Sequence, residues 1–197
     1  MSIRILPSIA SANMLELSNA LMLTRDAVHI DIEDGHFVPN ITFGMKTVKA
    51  ICAAAAGKEI DVHLLVTNPM DYLEDLAELG VYAVCAHIEA LPYPLQFINR
   101  AKALWMKAGL ALNITTPLEH IQNIIKDLDY VLLMTAEPDD KGCSLYQPAL
   151  QKAMDFARGG LLPVIADGGL DEKAVAMLEA AGVYAAVLGR NYFGKGE

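Results

Sequence analysis

Two histidines and two aspartates stand out by type and spacing: His29 and Asp31, then His63, then Asp167. Each follows or ends a short apolar run: Ala27–Ile32, Ile60–Leu65 and Leu162–Ala166. On a strand, residues two apart point to the same face, so His29 and Asp31 share one. Imidazoles and carboxylates converging from several strands can hold one divalent metal and leave a carboxylate on either side of a bound substrate. Taken singly, each has a plainer use. His29 with Asp31 can be a buried ion pair, His63 or His87 a satisfied core histidine, and Asp34 a helix N-cap. The conjunction on one rim favours ligands.

The elements that must position them alternate along the chain. Strand-like runs are read at Ile3–Ser8, Ala27–Ile32, Ile60–Leu65, Val81–His87, Gly109–Asn113, Tyr130–Met134, Leu162–Ala166 and Ala185–Leu188. Helical patterns are read near Leu15–Leu23, Thr47–Ala56, Met70–Leu79, Leu95–Ala108, Leu118–Lys126, Pro148–Ala157 and Glu172–Ala181. Asn68-Pro69 and Thr116-Pro117 suit a cap before a first-turn proline. Gly80, Gly109 and Gly182 stand where a left-handed C-cap is wanted. Eight strands alternating with helices predict a (β/α)8 TIM barrel, with residues 1–197 as one domain and no linker composition to divide them. A doubly wound sheet is the alternative. Only Gly189–Glu197 follow the eighth strand, so the barrel is expected to have a shortened C-terminal end.

In such a barrel the working residues lie at the C-terminal strand ends. Read in order, these are Ser8; His29, Asp31, Glu33 and Asp34; His63; His87; Asn113; Met134; Asp167; and Gly189 with Arg190. Gly168 and Gly169 after Asp167 would let backbone N–H groups approach an anion, or form an ordinary turn. Gly189 and Arg190 stand where this architecture commonly binds phosphate, and Arg190 can add a bidentate contact or be a surface arginine.

Composition narrows the partners. The chain is 54% hydrophobic with a formal net charge of −9, and it has no Lys/Arg cluster, so neither nucleic acid nor a membrane surface is expected. No apolar stretch is long enough for a spanning helix and the N-terminus is a poor secretory signal, so a cytoplasmic protein is expected. Cys52, Cys85 and Cys143 read as reduced thiols. Apolar, Met- and Ala-rich helices suggest a homo-oligomer.

Several segments taken together resemble the ribulose-phosphate 3-epimerase family. They include Leu6-Pro-Ser-Ile-Ala-Ser-Ala12, His29-Ile-Asp-Ile-Glu-Asp-Gly-His-Phe-Val-Pro-Asn40, Asp61-Val-His-Leu-Leu-Val66, His87-Ile-Glu-Ala90, Gly109-Leu-Ala-Leu-Asn113, Val131-Leu-Leu-Met-Thr135 and Asp167-Gly-Gly169. The resemblance implies a barrel of the ribulose-phosphate-binding type. It implies one divalent metal (zinc, iron, manganese or cobalt) on His29, Asp31, His63 and Asp167, and no organic cofactor. It implies that Asp31 and Asp167 also act as the acid/base pair inverting C3 of a ketose phosphate through a metal-stabilised enediolate. Ser8, His63, Gly142, Gly168, Gly169, Gly189 and Arg190 would contact the substrate.

Three places depart from the family pattern. Glu33 and Leu65 stand where methionines are usual. The loop after the sixth strand reads Glu137-Pro-Asp-Asp-Lys-Gly-Cys143, with fewer glycines to cradle phosphate and with added acid at Asp139 and Asp140. Arg190 replaces a small residue. These changes spare the metal set and touch the substrate contacts, so a hexulose phosphate or an unphosphorylated ketose competes with the pentulose phosphate. A sugar-phosphate lyase on the same barrel would want a strand-tip lysine, and none is present. A non-catalytic sugar-phosphate binder is the remaining alternative.

Overall fold

Eight parallel strands carry the chain around a nearly closed barrel in a computed structural model, which describes residues 2–138 and 144–194. The strands are β1 (Arg4–Pro7), β2 (Ala27–Glu33), β3 (Glu59–Leu65), β4 (Ala83–His87), β5 (Lys107–Leu112), β6 (Tyr130–Met134), β7 (Val164–Asp167) and β8 (Ala185–Leu188). They pair in the order β1-β8-β7-β6-β5-β4-β3-β2, and a bridge between Ser8 and His29 joins the two ends. The helices are α1 (Leu17–Leu23), α2 (Met45–Ala54), α3 (Leu73–Glu78), α4 (Pro94–Ala103), α5 (Gln147–Arg158), α6 (Glu172–Ala180) and α7 (Arg190–Phe193). The last is a single turn. None is long and apolar enough to cross a membrane.

Alternation along each strand sorts its side chains into two layers. Val28, Ile30, Ile32, Val62, Leu64, Val84 and Leu110 face outward and are buried beneath helix residues such as Val48, Leu76 and Phe97. The inner layer is made of smaller residues, with Ala27, Ala83, Ala111 and Ala185 beside Leu132, Ile165 and the single large ring of Tyr130. Gly109 makes room for that ring, since a Cβ there would lie 2.5 Å from it.

That finding corrects one expectation. Gly80 and Gly182 do adopt left-handed conformations, but Gly109 lies inside β5 opposite Tyr130. The left-handed residue after α4 is Trp105, at φ 66°. The helix expected over 95–108 therefore stops at Ala103. The helix expected over 118–126 is absent, and two short 3-10 turns, Leu118–His120 and Ile125–Asp127, take its place. Of the two proline caps, Asn68 does hold the N-cap position before Pro69, on a 3-10 turn and without a side-chain cap bond. At the other, Pro117 itself holds the N-cap position while the Thr116 hydroxyl donates to Glu89. Asp34 caps no helix. It ties a turn, accepting from the N–H groups of His36 and Phe37 (2.8 Å each) and from Thr67 N–H and hydroxyl.

Candidate active site

Strand register decides which side chains meet. β2 and β3 run parallel with His29 beside Asp61 and Asp31 beside His63, and all four alternate to the barrel interior. Asp167 ends β7, three strands further round through β1 and β8. The two carboxylates thus reach the mouth from different sides. One ligand atom each from His29, Asp31, His63 and Asp167 lie within 4.8 Å of one another.

The wiring of each group fits a cation. His29 is fully buried. Its Nδ1 lies 2.7 Å from Asp61 Oδ2 and its Nε2 lies 3.1 Å from Asp31 Oδ1. Asp61 is itself held by the Tyr130 hydroxyl, which donates to Oδ1 at 3.1 Å. A carboxylate behind the imidazole fixes the tautomer and turns the other nitrogen to the cluster. His63 Nδ1 lies 3.3 Å from Asp31 and 3.4 Å from Asp167 but is aligned for a hydrogen bond with neither. Among the described residues it is the one buried side-chain polar atom without a hydrogen-bond partner. An unpartnered ring nitrogen between two carboxylates is the arrangement a divalent ion satisfies, by taking the place of a proton there.

The protonation pattern agrees. Burial alone would lower the pKa of His29, but Asp31 and Asp61 outweigh it and raise it well above the ordinary value. Burial would likewise lower His63, while Asp167 and Asp31 raise it. Burial would push Asp31 up, yet the two imidazoles hold it far below the carboxylate range. A concentration of negative charge that draws protons onto histidines attracts a metal cation for the same reason.

Above the cluster opens a cavity of about 610 Å³. Asp31 and Asp167 face it, while His29 and His63 lie beneath. Ser8 sits on its wall and donates to Asp31 Oδ2 at 2.6 Å, across the β1–β2 seam. Gly168, Gly169, Gly189 and Arg190 line one end. Gly168 needs to be glycine: its φ is 113° and a Cβ would press on the Ala136 backbone N at 2.8 Å. Arg190 is exposed at the mouth. Gly142, Asp139, Asp140 and Lys141 fall outside the described residues. Glu33 also faces the cavity, and Asn40 Nδ2 donates to its Oε2 at 2.7 Å. Burial, then the charge of Asp31, push the Glu33 carboxyl up to about 7.

Sequence reading passes over Asp61, Asn40 and Glu89. Asp61 carries a usable signal, since it stands two residues before His63 on the same face. Asn40 and Glu89 carry none, because their roles depend on loop closure.

A family model described as "Ribulose-phosphate 3 epimerase family" matches residues 4–193. The chain belongs to the ribulose-phosphate 3-epimerase family. As a member it is an isomerase of the epimerase type. It is 33% identical over 205 residues to the ribulose-phosphate 3-epimerase of Bacillus subtilis (strain 168), covering 99% of this chain and 94% of that one. It is 36% identical over 182 residues to that of Schizosaccharomyces pombe, covering 90% of this chain and 79% of that one. Among solved structures, a mutant tryptophan synthase alpha-subunit from Pyrococcus furiosus superposes with a TM-score of 0.73 at 15% identity, over 96% of this chain and 87% of that one, which speaks for the barrel alone.

Proposed function

We propose that this protein is a metal-dependent epimerase that inverts C3 of a ketose phosphate, of the ribulose 5-phosphate type or a related hexulose phosphate. The observation that carries it is the convergence of His29, Asp31, His63 and Asp167 within 4.8 Å at the floor of a sugar-sized cavity, in a chain of this family. A divalent ion held there supplies positive charge against the negative charge that builds on the sugar's oxygens when the C3 proton leaves. The carboxylates do the proton work. One of Asp31 and Asp167 takes the C3 proton, and the other returns one to the opposite face, so the configuration inverts. Ser8 holds Asp31 in place. Backbone N–H groups at Gly168, Gly169 and Gly189, with the Arg190 guanidinium, receive the phosphate. Among the described cavity residues there is no lysine, which counts against Schiff-base lyase chemistry. Self-association belongs to the same reading and is supported by the exposed Leu15, Met22 and Leu23 around the first helix.

The test pairs metal analysis with solvent-deuterium exchange at C3 of D-ribulose 5-phosphate and D-allulose 6-phosphate. Expected are about one metal per chain, exchange on at least one sugar, and loss of exchange in Asp167→Asn. Changing Glu33 to Met, the usual family residue, is expected to shift the ratio of the two sugars towards the pentulose. Bound metal with no exchange on either sugar would refute the assignment.

A further inference from the structure

His63 differs from His29 in having no carboxylate directly behind it. Its Nε2 instead lies 3.0 Å from Nε2 of His87, and the rings stack with centroids 5.0 Å apart at 21°. Both rings are fully buried. Two imidazole nitrogens at that distance can share only one proton, so one ring donates and the other accepts.

The next contact decides which. His87 Nδ1 lies 3.2 Å from Glu89 Oε2. Glu89 Oε1 accepts from the Asn113 N–H at 2.9 Å and from the Thr116 hydroxyl. Partial burial would raise the Glu89 carboxyl, but the hydrogen bonds with His87, then the Thr116 hydroxyl and the Asn113 N–H, outweigh it and bring it down to about 2. An ionised carboxylate only accepts, so His87 Nδ1 must carry the proton. A neutral His87 then offers its Nε2 as a lone pair, and His63 must donate Nε2–H to it. The His63 Nδ1 lone pair is left facing Asp31, Asp167 and His29. A doubly protonated His87 would force the reverse, with a proton on His63 Nδ1 and no ligand. Full burial of His87 disfavours that cation.

The relay is anchored from outside the barrel. Lys152 on α5 reaches over the loop after β5 and donates to the carbonyls of Asn113, Ile114 and Thr116 at 3.1, 3.0 and 3.2 Å. This holds the loop that presents Asn113 and Thr116 to Glu89.

We infer that His87 and Glu89 are positioning residues of the metal centre, fixing His63 as the Nε2–H tautomer so that its Nδ1 is a ligand. The inference rests on the metal-centred reading above. Orienting partners of this kind are commonly worth about 10- to 100-fold in metal affinity.

Zinc affinity is measured on the full chain by chelator competition, with thermal unfolding of the metal-free proteins as a folding check. His87→Phe keeps a stacked ring and removes the acceptor, and is expected to weaken zinc binding roughly 10- to 100-fold. His87→Gln restores an acceptor near the Nε2 position and is expected to recover part of the loss. Glu89→Gln is expected to weaken binding in the same direction. Long-range proton–nitrogen correlation spectra of the zinc-loaded parent are expected to place hydrogen on His63 Nε2 and on His87 Nδ1. A parent that takes up no zinc overturns the metal-centred reading and this inference together. A parent that binds zinc overturns this inference alone if its folded variants bind equally well, if His87→Gln recovers nothing over His87→Phe, or if His63 carries its proton on Nδ1. The spectrum decides even if a His87 variant does not fold.

Discussion

Replacing Asp61 by Asn removes one charge from the floor of the site while keeping the shape. Asp61 never enters the ligand set, yet Oδ2 holds the His29 Nδ1 proton at 2.7 Å and Oδ1 accepts from Tyr130 at 3.1 Å. Both bonds are buried, and the acceptor is charged. A hydrogen bond to a charged group is worth about 1.5–3 kcal/mol. The amide can still accept from His29 through its oxygen, but its NH2 then faces the Tyr130 hydroxyl, which must turn its own proton away. The electron-donating push on His29 is also weaker. If most of that energy is expressed in the metal-bound state, affinity falls by roughly 10- to 100-fold at about 1.4 kcal/mol per factor of ten. The assay is zinc titration of metal-free Asp61→Asn against parent, with urea unfolding of both. The expected outcome is a folded variant with weakened zinc binding and exchange activity that returns at high zinc. Parent-like affinity in a folded Asp61→Asn would refute the argument that the barrel floor tunes the centre.

Two further outcomes test other parts of the structure. Gly109→Ala puts a Cβ 2.5 Å from the Tyr130 ring, about 1 Å inside ordinary carbon–carbon contact. Overpacking of this kind costs about 1–3 kcal/mol, so the urea midpoint should fall, and trimming Tyr130 to Leu in the same chain should recover part of it; an unchanged midpoint for the single variant would show that the ring moves freely. Acid stability tests the turn at Asp34. Partial burial would raise its pKa, but the N–H groups of Thr67, Phe37 and His36 outweigh this and lower it to about 2. A depressed folded-state pKa contributes stability that is present above the unfolded value of about 4 and is lost as pH falls through the folded one. Between pH ~4 and ~2 the parent should therefore lose more stability than Asp34→Asn, and parallel acid curves would contradict the assignment.

Much of the molecule is written in local pattern. Short β-branched and aliphatic runs spaced by helical stretches announce the barrel, because a strand buried on both faces must be apolar throughout. The ends of those runs point to His29, Asp31, His63 and Asp167, since a period of two leaves few choices of face. Strand boundaries come out within about two residues. The failures arise where a local signal competes with packing. The stretch 118–126 has helical composition yet folds as two 3-10 turns. Gly109 looks like a helix stop, but its lack of a side chain makes room for a ring on the neighbouring strand.

The groups that stand behind the ligands are chosen by the assembled barrel. That His29 meets Asp61, that Tyr130 reaches Asp61 from β6, and that His63 meets His87 follow from register and barrel curvature. These are set by many strand pairs at once, and no single segment encodes them. The sequence determined which groups are available for the chemistry. The closed barrel decided which of their nitrogens and oxygens face one another, and so which lone pairs remain for a metal ion and its substrate.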